Sequence, residues 1–492
     1  MSKNILVVGA SGYIGSHLVP NLLHLGHHVK ATGRNLKLLE KRGWGSIDNL
    51  ELVELDLDLD QDLTDLFIDI DTVYFLVHGM NHGHDFIEFE LDCARRFSDY
   101  LSRSNVEHVV YLGALQSQTS QSKHLTARKE TGNILRNSGK CVTELRAGII
   151  IGPGSAAGPG SAAFEVMQDF VYHLPVMLTP SWVTSRNSPI ALRNLLYYLT
   201  ELIECPPDHN LILDVAGQEQ MTYKDQMVRL SKMHGKNIRV IPLKWLSPKM
   251  ATYWLRFITS VPTNIARALI GGLSCDLPAD GSELQRRIPQ HLISYEEAIQ
   301  EALAMNTEVV NSEIWGFDPD ALLRWQTGYG YYPKQAGYTL KTDASCEALW
   351  RQVQLVGGEE GYFYANSLWR VREWMDAMIG GDALKRYRRD PQQLQLGDKI
   401  DSWKVISLEK NHFLSLLFGM KAPGLGRLEF TIEDCGDHRT IDIRAWWHPK
   451  GFMGLLYWFA MMPAHLFIFR GMTHALVKRC KAKIQQGNIE TK

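Results

Sequence analysis

The stretch "NILVVGASGYIGSHLVPNLLHLG", residues 4–26, limits what the chain can fold into more than any other. Asn4 to Val8 is a short, continuous apolar run, as expected of a strand buried on both faces. The segment after the glycines has helical spacing and stops at Gly26. Gly9, Gly12 and Gly15 therefore fall at a strand-to-helix turn. The first lets the chain turn sharply, the second lets backbone approach a pyrophosphate, and the third lets the helix pack close to the strand. The helix N-terminus adds N–H groups and the positive end of a dipole. With a strand before and a helix after, the glycines point to dinucleotide binding, contacted by Gly9, Ser11, Gly12, Tyr13, Ile14 and Gly15.

The second strand, "HHVKAT", ends in "GRN". A site built for NAD places Asp or Glu near this point, to bond the ribose 2′-hydroxyl. Here Thr32 and Gly33 end the strand and Arg34 follows. A guanidinium can pair bidentately with a 2′-phosphate, so NADP is expected over NAD. The alternation continues. "NLELVELDLD" gives a third strand with Asp56 and Leu57 at its end, and "DTVYFLVHGM" a fourth with Leu76, Val77 and His78 at its carboxyl end. "EHVVYLGAL" is a fifth, with Gly113 at its carboxyl-end turn, and "CVTELRAGIIIG" a sixth that carries Ile149. Helical stretches such as "DFIEFELDCARRFSDYLSRS" lie between them. The pattern is α/β, a doubly wound parallel sheet of the Rossmann type, with ligands at the carboxyl ends of the strands.

Bulk composition fits this reading and narrows it. A chain of 492 residues is too long for one ordinary core. A net charge of −2 argues against a general affinity for nucleic acid. The seven cysteines are scattered, with no C-x-x-C pair, so a reducing, cytoplasmic setting is expected. The N-terminus enters a strand at once and has no signal-peptide pattern. His78, His82 and His84 share a loop without a cysteine or a spaced carboxylate set, so no metal is expected there.

The motifs "ILVVGASGYIGSHLV", the Arg34 position, "YLGAL", "SKHLTARKETGNILRNSG" and "TELRAGIIIGPGS" resemble an atypical short-chain dehydrogenase/reductase. They are similar to NmrA-like proteins and to the nucleotide-binding accessory subunit of respiratory complex I. "NSPIALRNLLYYL" and "LILDVAGQEQMTYKDQMVRLSKMHG" resemble the substrate-side segment of extended members, which carries the similarity to about Val261. That resemblance implies a serine after the fifth strand and a Tyr-x-x-x-Lys pair on the next helix. This chain departs at all three places. Gly113 and Ala114 follow the strand, His124 stands for tyrosine and Arg128 for lysine. His124 has the chemistry of a general acid or base, but Arg128 one helical turn away favours its neutral form. Two roles stay open for the pair: a rebuilt catalytic site, or cofactor holding and packing. The glycine-rich run "IIIGPGSAAGPGSAAF" is expected to shape the nicotinamide pocket or a lid.

Past about Val261 the pattern changes. A polar connector with an amphipathic helix, Tyr295 to Met305, precedes a Gly-, Pro- and aromatic-rich linker. From Tyr338 a strand, a cap near Asp343 or Ser345 and a helix are expected, then an antiparallel meander and a long closing helix, Gly454 to Ile484. That order resembles a helix-grip fold of the START/Bet v1 kind, an α+β domain whose sheet wraps the last helix around an apolar cavity. "LWRVREWMDAMIGG", "RRDPQQLQLGDKIDSW", "MKAPGLGRLEF" and "HPKGFMGLLYWFAMMPAHLFIFRGM" resemble the bacterial YbjT-like family, an atypical reductase domain joined to a C-terminal domain of unassigned function. Gly451 to Phe469 has no charged residue and is about long enough to span a bilayer. Pro463, His465 and Arg470 favour a buried helix, with peripheral insertion into a membrane surface as the alternative. "RYRRDP", residues 386–391, is a basic cluster whose default reading is a solvated face.

The expected boundaries are 1–262 for the nucleotide-binding domain with its substrate-side segment, 263–336 for the connector and 337–487 for the C-terminal domain. The expected function is an NADP-dependent oxidoreductase acting on an apolar carbonyl, quinone or lipid-like small molecule. The alternative is a non-catalytic sensor or scaffold whose C-terminal domain holds lipid or a partner.

Overall fold

The computed structural model describes residues 2–40, 47–79, 86–117, 122–153, 161–243, 275–308, 333–381 and 387–490, with single positions between some of these. The histidines at 82 and 84, the glycine-rich loop at 154–160 and most of the aromatic linker lie outside the described residues. The chain divides into two compact units, Met1–Asn311 and Ser312–Lys492.

In the first unit, β1 (Asn4–Val8) leads into α1 (Tyr13–His24) and β2 (His28–Gly33). Then come β3 (Leu50–Glu54), β4 (Thr72–Phe75), α2 (Phe86–Arg103), β5 (His108–Ala114), α3 (Lys123–Arg136) and β6 (Cys141–Ala147). β7 (Leu211–Val215) completes a seven-stranded sheet in the order β7-β6-β5-β4-β1-β2-β3, parallel at every pairing. The order reverses between β1 and β4, where a crevice opens beyond the strand ends. The sheet is covered on both faces, which is why Ile5 to Val8 and Val109 to Leu112 are all buried. One face packs under α1 with Leu18, Val19 and Leu22, the other under α2 with Ala94, Phe97 and Leu101.

The expected sixth strand is broken. It ends at Ala147, and Ile150–Ile151 leaves the main sheet to pair with Ile190–Ala191. Gly148 marks the departure: a Cβ there would sit 3.2 Å from the Ser188 carbonyl. Helices α4 (Ala162–His173), α5 (Leu192–Glu201) and α6 (Tyr223–Met233) belong to this part of the unit, and the expected helix from Tyr295, α7 (Tyr295–Glu308), packs against that second, smaller pairing.

The strand expected from Tyr338 begins four residues earlier, as β8 (Lys334–Thr342) of the second unit. Ser345 caps α8 (Cys346–Val353), its Oγ accepting the Ala348 N–H at 3.2 Å. α9 (Asn366–Met378) follows, then β9 (Lys399–Ile400), β10 (Trp403–Glu409), β11 (Phe413–Phe418), β12 (Gly424–Asp434) and β13 (Arg439–Pro449). The sheet is antiparallel, in the order β8-β13-β12-β11-β10-β9, so the first strand pairs with the last, from Lys334↔Trp447 to Thr342↔Arg439. α10 (Gly451–Glu490) is longer at both ends than the periodicity suggests and lies on β8, β13 and α8. Its inner face buries Leu455, Trp458, Ile468, Phe469, Met472 and Leu476 in the core of the unit. The expected antiparallel sheet with a closing helix is present.

Candidate functional site

The glycines of the first turn each meet a local demand. Gly9 has φ +91, a left-handed conformation costly for any residue with a Cβ. It also runs against the end of β4, where a Cβ would lie 3.3 Å from the Leu76 carbonyl carbon. At Gly15 a Cβ would stand 2.5 Å from the Gly9 oxygen and 2.6 Å from Ala10 Cα, so only glycine lets α1 start this close to β1. Gly12 occupies the cap position and brings no side-chain bond, and the first turn holds no acidic residue. The N–H groups of that turn lack intrahelical partners. With the dipole, they form a seat for phosphate oxygens.

Beyond the strand tips lies a cleft of about 300 Å³. Gly9, Ser11, Gly12, Arg34, Asp56, Leu57, Leu76, Val77 and His78 all line it. Arg34 is exposed, directly after β2. Asp56 accepts the Asp58 N–H at 3.1 Å, which turns the chain beyond β3. Two lining residues carry no sequence motif, Phe89 and Cys93 of α2. Burial, helped by the negative charge of Asp58, pushes the Cys93 thiol up to about 12, so the cleft holds no thiolate nucleophile at neutral pH.

The remaining expected contacts sit elsewhere. Ile14 and Gly15 lie inside the α1–sheet interface. The Tyr13 hydroxyl is buried, 2.4 Å from where a Cβ on Gly152 would be. Burial, and then the charge of Glu165, holds that phenol well above its ordinary range. Gly113 and Ala114, expected after the fifth strand, are its last two residues, and Gly113 points its missing side chain toward the Glu144 carboxylate, at 3.1 Å. Ile149 is buried, its carbonyl accepting the Ile190 N–H at 2.9 Å.

His124 and Arg128 both lie on α3, and the two differ in character. The Arg128 guanidinium is buried and engaged on several sides. It donates to the Val77 carbonyl at 3.0 Å and to the Leu112 carbonyl, and it meets Glu90 Oε1 at 3.3 Å. It also lies 5.0 Å from the Tyr111 ring centroid, and the Tyr111 hydroxyl returns a bond to the Arg128 carbonyl at 2.9 Å. Glu90 in turn accepts the Gly79 N–H at 2.9 Å. Arg128 and Glu90 thus tie α2 and α3 to the ends of β4 and β5, under the cleft. His124 is half-buried with Nδ1 unpartnered among the described residues. Burial, then the Arg128 charge, pushes it down to about 4. At neutral pH its imidazole is neutral, able to give or take a hydrogen bond but a poor proton source.

Glu90 was not legible as a site residue, although it left a trace. It sits at the head of the stripe Glu90, Cys93, Ala94, Phe97, Leu101, the buried face of α2. A carboxylate in such a stripe requires a buried cation opposite it.

Residues 9–151 match the family model described as NAD(P)H-binding, and residues 335–472 match one described as a protein of unknown function (DUF2867). No curated protein matches the chain at a significant level. Solved structures similar to it include a UDP-glucuronic acid 4-epimerase from Bacillus cereus in complex with NAD, at 16% identity over 62% of this chain and 98% of that one, with a TM-score of 0.48. A triphenylmethane reductase from Citrobacter sp. complexed with NADP(H) is 16% identical over 61% of this chain and 100% of its own, with a TM-score of 0.49. A nucleoside-diphosphate-sugar epimerase from Staphylococcus aureus is 15% identical over 61% and 100%, also at 0.49. None of the seven cysteines is in a disulfide, and among the described residues no group of three His, Cys, Asp or Glu is placed to hold a metal. The chain joins an NAD(P)H-binding domain of the Rossmann type, in its first unit, to a DUF2867 domain of unknown function, in its second.

Proposed function

We propose that the first unit is an NADP(H)-dependent oxidoreductase acting on an apolar carbonyl, quinone or lipid-like substrate. The observation that carries the cofactor choice is Arg34, on the rim of the cleft directly after β2, where an NAD site would place a carboxylate. Bound NADPH supplies the hydride. The chain's own part is to seat the pyrophosphate on the first turn of α1 and to hold the 2′-phosphate at Arg34. Arg128 acts as the brace under the cleft, because its N–H groups already meet Val77, Leu112 and Glu90. His124 then offers a neutral imidazole to the substrate oxygen, and the proton comes from solvent. Calorimetry with NADPH and NADH tests the first step: tighter binding of NADPH, lost in Arg34→Glu, is the expected result, and no binding of either nucleotide would end this reading. Turnover of NADPH with a panel of quinones and aldehydes, compared with His124→Ala, tests the second.

A specific observation favours a second reading, a non-catalytic module in which NADPH is a sensory or structural ligand. The end of β5, Gly113 and Ala114, carries no hydroxyl, Arg128 is committed to bracing, and α10 exposes Phe452, Met453, Leu456, Leu466 and Phe467. Under this reading the second unit engages a membrane surface or a partner. Binding of NADPH without turnover across the whole panel is its signature.

A further inference from the structure

The second unit contains an aromatic cavity of about 190 Å³ between α9, the sheet and α10. Its walls include Trp369, Phe418, Trp446, Trp458 and Phe469, and its mouth is framed by the exposed Leu368, Val371 and Met375. Among the described residues two arginines line it and no carboxylate does. Their situations differ. Arg427 is buried, stacks at 5.1 Å on Trp446 and bonds Glu429 Oε1 at 2.5 Å, so its charge is met within the protein. Among the described residues Arg372 donates to neutral oxygens, the Tyr457 hydroxyl at 3.0 Å and the Lys421 carbonyl at 3.0 Å. It lies 5.4 Å from the Phe418 centroid and 5.7 Å from that of Tyr457. Among the described residues no carboxylate pairs with it. The indole N–H groups of Trp369 and Trp446 and the Nδ1 of His465 are buried without a partner among the described residues.

An apolar pocket with an excess of donors and an arginine that no described carboxylate pairs is matched by a ligand with an apolar body and an anionic acceptor. Its volume is below the range of about 300–1,000 Å³ usual for drug-sized ligands, which selects one short chain or ring and excludes a diacyl lipid. We propose that this cavity is a binding site for a small apolar carboxylic acid, with the carboxylate at Arg372 and the hydrocarbon between the tryptophans.

The test uses the full chain with octanoate and, as a neutral probe of equal length, octan-1-ol, read by tryptophan fluorescence and calorimetry. Octanoate should bind at least about tenfold more tightly than octan-1-ol, the margin of one charge-assisted hydrogen bond. Arg372→Gln should erase that preference while leaving octan-1-ol binding unchanged, a pattern that a purely structural brace would not give. Ala464→Phe, which fills the cavity, should abolish binding of both. Equal affinity for the two probes, no binding of either, or octanoate binding that survives both substitutions would overturn the proposal. If Ala464→Phe melts early or loses its near-ultraviolet circular dichroism, the two-probe comparison on the wild type and Arg372→Gln decides alone.

Discussion

Arg128 and Glu90 stand 3.3 Å apart with both side chains buried, one on each helix that flanks the carboxyl ends of β4 and β5. Removing one partner leaves the other as an uncompensated charge in the interior. Glu90→Ala is therefore expected to lower the unfolding free energy of the first unit by about 3–5 kcal/mol. Replacing both, as Glu90→Leu with Arg128→Met, should cost much less. A double-mutant cycle on urea unfolding measures the difference. A cycle with no coupling would show that the pair does not brace the cleft.

Gly15 and Gly26 separate the two reasons a glycine is required. At Gly15 a Cβ would meet backbone at 2.5 Å, so Gly15→Ala must push α1 off the strand end. A loss of about 1–3 kcal/mol is expected, together with a clear loss of NADPH affinity, because the phosphate seat moves with the helix. Gly26 has φ +83 and nothing within 4 Å of its Cβ position. Gly26→Ala should cost only the conformational strain of about 1–2 kcal/mol and leave nucleotide binding unchanged. Calorimetry on the two variants checks both statements.

Arg34→Glu replaces a cation on the cleft rim by an anion. NADPH affinity should fall by roughly tenfold or more, while NADH affinity changes far less, because only the former carries the 2′-phosphate. An equal loss for both nucleotides would place Arg34 away from the ribose.

The parts of this molecule that were legible in its sequence are those whose constraint is local. The glycine turn needs φ +91 at one position and a missing Cβ at another, and both demands fall within seven residues. Ser345 caps its helix three residues on. What stayed hidden depends on partners far along the chain. Glu90 has a meaning only once Arg128, 38 residues later, is folded against it. Gly113 looked like a gap in a catalytic set, whereas its vacant Cβ position faces Glu144 of the neighbouring strand. The break after Ala147 is invisible in an unbroken apolar run, since the pairing that draws Ile150 and Ile151 away lies with Ile190 and Ala191.

The outer side of α10 leads to a prediction about membranes. Phe452, Met453, Leu456, Leu466 and Phe467 are all more than half exposed, and residues 451–489 contain no acidic side chain but five basic ones from Arg470 onward. The helix is long and apolar enough to cross a bilayer, with 28% of its most apolar window buried. Its inner face, however, is fixed in the core of the unit through Trp458, Phe469 and Met472. An exposed apolar stretch followed along the helix by basic residues, on a helix packed into its sheet, suits peripheral docking on anionic lipid. The protein should float with phosphatidylserine-containing vesicles and less with neutral ones, and added salt should weaken the association. Phe452→Glu with Phe467→Glu should abolish it. Equal flotation of the wild type and that double variant would count against docking through this face.

His108 supplies a prediction on pH. Its Nε2 pairs with the Thr143 hydroxyl at 2.9 Å between β5 and β6, and both residues are buried. Burial pushes the imidazole down to about 4, against about 6.5 in the unfolded chain. Between these values the unfolded state binds the extra proton, so stability rises with pH across the window and is lost as the pH falls from about 6.5 toward 4. One such group accounts for on the order of 3 kcal/mol over the full window. His78, His124, His234 and His465 are held low by burial as well, so the acid slope is shared among them. His108→Gln keeps a hydrogen-bonding side chain toward Thr143 and takes up no proton. Its urea midpoint should be close to that of the wild type or somewhat lower at neutral pH, and should fall less steeply on acidification, by about one proton's worth of slope. Parallel pH profiles for the two proteins would mean that His108 is already protonated in the fold.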